Sequence, residues 1–155
     1  VRMVLLKGFD KNGFVFYTNL NSQKGNELKD NPNATMCFHW KSLLRQIRIN
    51  GILEQVDNKV ADNYYITRAY ESRIGAWASK QSTVLKSRVE LLNNIENFKK
   101  KYQDKDKVPR PNHWSGWNLK PSSFEFWLDG SNRIHERLKY TLNEKNIWTK
   151  SLLSP

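Results

Sequence analysis

Residues 124–137, near the C-terminus, constrain the fold more than any other part of the chain. They read as an aromatic strand, an Asp-Gly-Ser-Asn turn and a second strand, which predicts an antiparallel hairpin. Because side chains alternate faces along a strand, Arg133, His135 and Arg137 would share one face. Taken alone, such a face fits a solvated edge strand better than a ligand site. Three cationic or ionisable groups would nevertheless repel unless an anion lay against them, and the rest of the chain favours an anion.

Length and composition limit the class of protein. With 155 residues, 38% hydrophobic and 26% charged, we expect one domain, spanning residues 1–155, with a real core. No apolar run reaches the roughly 20 residues of a membrane span, and no signal peptide is visible. The lone Cys37 excludes an internal disulfide and fits a reducing cytoplasm. Its apolar neighbours predict a core position and not a nucleophile.

The positive charge predicts an anionic partner. A net charge of +11 suits nucleic acid, a membrane surface or phosphorylated small molecules. The lysines at 99–107 alternate with acidic residues, which is typical of a solvated surface. Other basic residues lie singly within strand patterns, where they can serve specific sites.

The remaining pattern predicts antiparallel strands with a few helices. Ser22 is the predicted N-cap of a short helix that ends before Pro32, and residues 87–90 form a capping box. The predicted strands are 3–6, 14–17, 34–40, 44–56, 117–119, 124–128, 133–140 and 147–152. The other predicted helices are 57–70, 72–78 and one after Ser87 with an apolar stripe of Val89, Leu92, Ile95 and Phe98. These elements indicate an α+β domain or a closed sheet.

Two clusters suit a phosphate. The first joins Arg2 and Lys7 to Tyr17, Thr18 and Lys24 near a helix N-terminus, whose free N–H groups attract anions. Routine capping and surface charge would also explain this cluster.

The second phosphate cluster is Tyr64, Arg68 and Ser72. Their spacing of four residues could place two hydroxyls and a guanidinium on one helix face. An amphipathic helix with a half-buried tyrosine would explain the same spacing equally well.

Several chemical classes have no support in the sequence. The three histidines are widely separated and have no cysteine at metal-ligand spacing, so we expect no metal site. The chain has no P-loop, no GxGxxG fingerprint and no Gly-x-Ser-x-Gly elbow. An enzyme with this sequence would therefore take its chemistry from a cofactor.

Taken in order, the segments resemble the pyridoxamine 5′-phosphate oxidase family. The matching stretches are residues 2–7, 15–19, 45–46, 74–77, 79–82, 125–127, 133–137 and 153–155. Each stretch is weak alone, but the ordered set is specific and covers nearly the whole chain. The resemblance implies an FMN-binding split β-barrel, mostly antiparallel with peripheral helices, that works as a homodimer with FMN sites at the interface.

The resemblance also implies roles for particular residues. The cofactor-binding positions are Arg2, Met3, Val4, Leu5, Tyr17, Thr18, Gln23, Lys24, Gln46, Gln81, Ser82, Trp127 and Arg137. The substrate phosphate would be held by Lys7, Tyr64, Arg68 and Ser72. Arg133 and His135 would lie near the pyridine ring as the catalytic residues.

The implied reaction is the oxidation of pyridoxamine 5′-phosphate or pyridoxine 5′-phosphate to pyridoxal 5′-phosphate. Dioxygen would be the electron acceptor and hydrogen peroxide a product, with no membrane or nucleic-acid partner. Two alternatives are a related split-barrel flavoprotein oxidase with another substrate, and a basic nucleic-acid-binding module.

The sequence departs from the family in two ways. Gln23 stands where the family usually has arginine, so a charged contact to the FMN phosphate would be lost. The family's N-terminal segment, which helps to cover the substrate, has no counterpart here, and we expect that this sequence lacks it.

Overall fold

The computed structural model describes residues 1–155 as one antiparallel sheet with helices around it. The strands are β1 (Gly8–Asp10), β2 (Gly13–Asn19), β3 (Asn33–Trp40), β4 (Arg45–Gln55), β5 (Trp114–Leu128), β6 (Glu136–Leu142) and β7 (Trp148–Leu153). The helices are α1 (Gln23–Asp30), α2 (Asn58–Ile66), α3 (Tyr70–Ala78) and α4 (Arg88–Lys101). This arrangement confirms the predicted α+β class, and no helix is long and apolar enough to cross a membrane.

Strand β5 organises the sheet. Its first part pairs with β2 and its last part with β6, while β4 pairs along most of its other side. The sequence predicted two separate strands here, at 117–119 and 124–128, and that prediction was wrong. Pro121 interrupts the pattern but sits at a register shift opposite Gly51, where a bulge lets one strand continue.

The hydrophobic core lies between β2, β4 and β5. Its five buried members are Phe16, Ile49, Leu53, Trp117 and Leu119. Full burial of side chains of this size stabilises a fold by about 1.5–3 kcal/mol each. This packed centre fixes the ends of β2 and β5, from which site residues project.

Capping side chains define three of the helices as predicted. Ser22 accepts a hydrogen bond from the Gly25 N–H at the start of α1, and Ser87 accepts one from the Glu90 N–H at the start of α4. Asp57 accepts one from the Lys59 N–H at the start of α2. These short side chains satisfy N–H groups that a helix leaves free in its first turn.

Some local predictions were wrong. Residues 3–6 form no strand, because the first strand pairing begins at Gly8, next to a single Lys7 N–H bond to the Val15 carbonyl. The stripe on α4 is also misassigned, since Val89 and Leu92 are exposed. Cys37, expected in the core, is exposed on β3, an outer strand of the sheet that pairs with β4 alone.

Candidate active site

Most of the expected site residues line one cavity of about 550 Å³, here called the main cavity. It opens between the N-terminal segment, the end of β2, the start of α1 and the α2–α3 region. The expected residues in its lining are Arg2, Met3, Val4, Leu5, Lys7, Tyr17, Thr18, Lys24, Tyr64, Arg68, Ser72, Gln81 and Ser82. The fold therefore brings the two predicted phosphate clusters to a single place.

A lysine marks one end of the main cavity. The Lys24 ammonium donates a hydrogen bond to the Thr18 hydroxyl, which lies 3.4 Å from Gln81 Oε1. Burial and the nearby charge of Arg2 lower the pKa of Lys24, while Glu27 opposes this effect. A half-buried ammonium bonded to a neutral hydroxyl gains from an anion placed beside it.

The start of α1 adds to this positive potential. Ser22 occupies the N-cap and lines the main cavity. Its hydroxyl satisfies only the Gly25 N–H, so the other N–H groups of the first turn and the helix dipole still favour an anion.

A second cation, Arg68, lies in the same cavity without a partner. Its Nη1 atom is buried and has no hydrogen-bond partner. Burial lowers the pKa of Arg68, and only the nearby Tyr65 and Tyr64 oppose it. Arg68 is half-buried, and a guanidinium that is partly removed from water without a carboxylate is costly unless a ligand supplies the negative charge.

Arg68 reaches the cavity by a route that the sequence did not predict. The spacing could have placed Tyr64, Arg68 and Ser72 on one helix face, but α2 ends at Ile66 and α3 begins at Tyr70. The Thr67 hydroxyl donates to the Tyr64 carbonyl at 2.7 Å and competes with continuation of the helix. The three residues still converge on the cavity, because the chain turns between the two helices.

Three nearly parallel aromatic rings form one wall of the cavity. The Tyr17 ring centroid lies 4.0 Å from that of Tyr64 and 5.1 Å from that of Trp114. Burial, followed by the proximity of Tyr64, raises the pKa of Tyr17. The guanidinium carbon of Arg68 lies 4.7 Å from the Trp114 ring centroid, within cation–π range.

Other expected residues lie around a separate cavity of about 620 Å³, here called the second cavity. It is mostly apolar and contains Gln46, Trp127 and Arg137, with Trp40 and Leu152 among its apolar members. The two cavities share no lining residue. Within one protomer, the fold does not bring these three residues to the main cavity.

Arg137 belongs to an ion network, centred on the buried Glu125, that the sequence did not predict. Glu125 pairs with Arg137 at 2.9 Å and also with Arg48. Burial would raise the pKa of Glu125, but hydrogen bonds from Arg137 and Arg48 outweigh it and lower the pKa. Arg137 also donates to the Ser154 carbonyl at 2.8 Å and so fixes the end of the chain.

Arg133 and His135 are not on a strand, so the expected shared face with Arg137 was wrong. Strand β6 begins at Glu136, and Arg133 ends a short turn with φ of 66°. His135 Nδ1 lies 3.0 Å from Asp129 Oδ1, and the His135 ring centroid lies 4.7 Å from that of Trp127. Neither Arg133 nor His135 lines the main or the second cavity.

Gln23 also lies outside the main cavity. It is exposed at the start of α1, and its amide donates to Glu27 Oε1 at 2.9 Å. Glu27 Oε2 accepts from Arg2 at 2.5 Å, so one carboxylate bridges Gln23 and a cavity residue.

Sequence reasoning missed several cavity residues. Ser22, expected at the helix start of the first phosphate cluster, also lines the cavity, and the positions beyond the expected set are Asn19, Gly75, Ala76, Ser79 and Trp114. The matching stretches contained Asn19, Gly75, Ala76 and Ser79, so the resemblance gave a signal for these four. Trp114 carried no signal, because its neighbours become visible only when the start of β5 pairs with the end of β2.

Comparisons with known proteins agree with this geometry. Residues 1–102 match the family model described as pyridoxamine 5′-phosphate oxidase. Residues 114–155 match the model described as the pyridoxine 5′-phosphate oxidase C-terminal dimerisation region. Two proteins named pyridoxine/pyridoxamine 5′-phosphate oxidase align with the whole chain. The one from Pelagibacter ubique is 74% identical, with 74% of its length covered, and the one from Mesorhizobium japonicum is 52% identical, with 75% covered.

Solved structures support the same fold. PhzG from Burkholderia lata, in complex with tetrahydrophenazine-1-carboxylic acid, has a TM-score of 0.91 at 28% identity over 99% of this chain and 74% of that one. A pyridoxamine 5′-phosphate oxidase-related, FMN binding protein from Nostoc punctiforme has a TM-score of 0.77 at 17% identity, over 99% of this chain and 80% of that one, and shows the fold alone. From the family matches and these full-length identities it follows that the chain belongs to the pyridoxamine 5′-phosphate oxidase family.

Proposed function

We infer that this protein oxidises pyridoxamine 5′-phosphate or pyridoxine 5′-phosphate to pyridoxal 5′-phosphate, with FMN as its cofactor. The observation that carries this proposal is the presence of two separate cations, Lys24 and Arg68, in one cavity, each without a carboxylate in contact. A reaction between a phosphorylated cofactor and a phosphorylated substrate needs two such positions. The names of the full-length relatives agree with this reaction.

FMN fits the Lys24 end of the main cavity. Lys24, Thr18 and the start of α1 offer an ammonium, a hydroxyl and free N–H groups, which is the donor set that a terminal phosphate requires. We propose that Arg2, Tyr17, Gln81 and Ser82 complete this part of the cofactor site. Bound FMN would supply the hydride acceptor for the substrate carbon, with dioxygen as the final electron acceptor and hydrogen peroxide as a product.

The substrate phosphate fits the Arg68 end. Lys7, Tyr64 and Ser72 line the same cavity and can add a second charge and two hydroxyl donors. Fixing the phosphate holds the remote end of the substrate, so that the reacting carbon is oriented without a covalent bond to the protein. We propose that Arg133 and His135 act nearer the ring, as the family resemblance implies.

We propose that the site is completed by a second copy of the chain. Gln46, Trp127 and Arg137 line the second cavity and not the main cavity, although the resemblance gives all three to the cofactor site. The C-terminal residues match a dimerisation region. A homodimer in which the second cavity of one protomer faces the main cavity of its partner would unite the two sets.

We also propose that residues 1–155 form a single domain. The two family models divide the chain between residues 102 and 114. Strand β5, from the second part, pairs with β2 and β4, from the first part. A sheet shared in this way cannot be separated without breaking its central pairings.

The decisive experiment measures cofactor and activity together. We expect the purified protein to release FMN on denaturation, identified by mass spectrometry, and to form hydrogen peroxide with either phosphorylated vitamer. Release of FAD, or of no flavin by a protein that also fails to bind added FMN, would refute the proposal.

A different oxidase substrate is the second candidate, because PhzG has the same fold and its solved structure is a complex with tetrahydrophenazine-1-carboxylic acid. The uncompensated Arg68 favours an anionic substrate but does not by itself distinguish a carboxylate from a phosphate. A substrate screen with phosphorylated vitamers and with ring carboxylic acids distinguishes the two, and we expect turnover only of the vitamers.

A further inference from the structure

We propose that Trp114 is a positioning residue that holds the Arg68 guanidinium ready for the substrate's phosphate. The inference rests on the proposed function, because it gives the phosphate end of that site a residue that fixes its main cation. Trp114 would act through its contact with Arg68 and would not itself touch the reacting carbon of the substrate.

Arg68 needs a support outside its own element. It lies in the connection between α2 and α3, where no helical hydrogen-bond ladder continues. Its backbone N–H bonds to the Tyr65 carbonyl at 3.2 Å, but its buried Nη1 atom has no partner. A long side chain held only by its backbone would sample many rotamers, and each binding event would have to order it.

The aromatic contacts supply that support. The Arg68 guanidinium carbon lies 4.7 Å from the Trp114 ring centroid and 5.7 Å from that of Tyr65. Tryptophan presents the most favourable ring for such a contact. A carboxylate would hold Arg68 equally well, but it would neutralise the charge and occupy the N–H groups. An aromatic face orients the cation and leaves its in-plane donors open for a phosphate.

Trp114 is itself firmly fixed. It begins β5, opposite Asn19 of β2, and its backbone N–H donates a hydrogen bond to the Pro111 carbonyl at 3.0 Å. The ring is buried, stacks at 5.1 Å on Tyr17 and meets the Tyr65 ring edge-on at 5.0 Å. The rigidity of the sheet therefore extends through Trp114 to Arg68.

The test compares substrates with and without the phosphate. We define phosphate selectivity as kcat/KM for pyridoxamine 5′-phosphate divided by kcat/KM for pyridoxamine, measured on FMN-saturated enzyme. We expect Trp114→Leu to lower the selectivity by roughly five- to thirtyfold, the factor that a desolvated cation–π contact provides, mainly through KM. Trp114→Phe keeps a weaker ring face and should lower it by about two- to fivefold.

Trp117→Leu is the matched control. Trp117 lies on the same strand but packs in the hydrophobic core and lines no part of the main cavity. Its replacement should reduce stability while leaving the selectivity of the folded enzyme unchanged. A purely structural role for Trp114 predicts the same result for Trp114→Leu, so unchanged selectivity there would overturn the inference.

A double-mutant cycle tests whether Trp114 acts through Arg68. Arg68→Ala should already lack the part of the phosphate selectivity that Arg68 provides, so adding Trp114→Leu should lower the selectivity no further. A further loss in the double variant would mean that Trp114 acts by another route. If Trp114→Leu does not fold, Trp114→Phe decides the question, and unchanged selectivity in that variant also refutes the inference.

Failure of the proposed function would look different. A wild-type protein that oxidises neither substrate would contradict the function alone. Calorimetric titration with inorganic phosphate would then still test the contact, because the weakening by Trp114→Leu should persist. Equal phosphate affinity in wild type and variant would overturn it.

Discussion

At the scale of single residues, Arg68 is the strongest candidate for a ligand contact, because its buried Nη1 atom has no hydrogen-bond partner. We expect Arg68→Ala to raise KM for the phosphorylated substrate by roughly ten- to a hundredfold, as the loss of about 1.5–3 kcal/mol from a charge-assisted contact implies. The change in kcat should be smaller, since the phosphate is remote from the reacting carbon. Steady-state kinetics on FMN-saturated enzyme measure both constants, and an unchanged KM would exclude Arg68 as a contact of the substrate phosphate.

Arg133 combines an expected catalytic role with backbone strain. Asn132 and Arg133 have φ values of 56° and 66°, in the left-handed region that costs a residue with a side chain roughly 1–2 kcal/mol. Arg133→Gly would remove the strain at 133, whereas Arg133→Ala would keep it. We expect both variants to lower kcat similarly, with the glycine variant the more stable by up to about 1 kcal/mol after its chain entropy is counted. Thermal unfolding with kinetics checks this, and a fully active alanine variant would exclude a catalytic role.

Glu125 makes the stability of the folded protein depend on pH. Its pKa lies below the ordinary value of 4.5, because the hydrogen bonds from Arg137 and Arg48 outweigh burial. A lowered folded-state pKa means that the stabilisation is present above the unfolded value and is lost as pH falls through the folded one. Glu125→Gln should cost about 1–3 kcal/mol near neutral pH. The variant should also show a flatter stability profile in denaturant unfolding from about pH 6 down to about pH 3. Parallel profiles for variant and wild type would contradict this assignment.

At the scale of elements, the close pairing of β4 and β5 leaves no room for a side chain at Gly51. A Cβ added at Gly51 would lie 2.0 Å from the Lys120 carbonyl oxygen, beside the bulge. We expect Gly51→Ala to destabilise the protein by about 1–3 kcal/mol, because the backbone of one strand must move. Gly75→Ala on α3 is the control, since an added Cβ there meets nothing within 4 Å, and helix propensity should stabilise it by about 0.5–1 kcal/mol. Denaturant unfolding of both variants gives the comparison, and equal stability would refute the steric argument.

The helices and strands also show which features of the fold depend only on residues that are close together in the sequence. Ser22, Asp57 and Ser87 were predicted as helix starts from their side chains alone, and the structure confirms all three. Capping depends on neighbours a few residues away, so a sequence reveals it. The continuity of β5 past Pro121 depends on a bulge opposite Gly51, and that pairing is not visible in either segment alone.

The same distinction applies to the site. Lys24 and Arg68 could be named as candidate phosphate ligands from residue type and spacing, and both line the main cavity. Trp114 and Glu125 could not, because their importance comes from contacts with Arg68 and Arg48 that lie far away in sequence. The β-period argument for Arg133 and His135 was wrong because a turn extends to Arg133 and β6 starts only at Glu136.

At the scale of the whole molecule, the expected cofactor residues other than Gln23 fall into two sets around cavities that share no residue. If one protomer supplies the main cavity and its partner the second cavity, each active site draws on two chains. When two variants with defects in different sets form a hybrid dimer, both defects lie in one active site and the other site is intact. The division therefore has a consequence for mixtures of variants.

Two variants that are each impaired in kcat/KM should restore each other, in assays at substrate concentrations well below KM. Arg68→Ala damages the main cavity and Arg137→Ala the second, so a hybrid dimer contains one doubly damaged site and one undamaged site. After random exchange of equal amounts, half of the dimers are hybrids, and roughly a quarter of wild-type activity should return. Activity assays after mixing, with sedimentation to confirm dimers, measure this recovery. No recovery from exchanged subunits would mean that each active site belongs to a single chain. Recovery would mean that two defective alleles of this gene can complement each other in one cell, because each allele supplies the half of the active site that the other lacks.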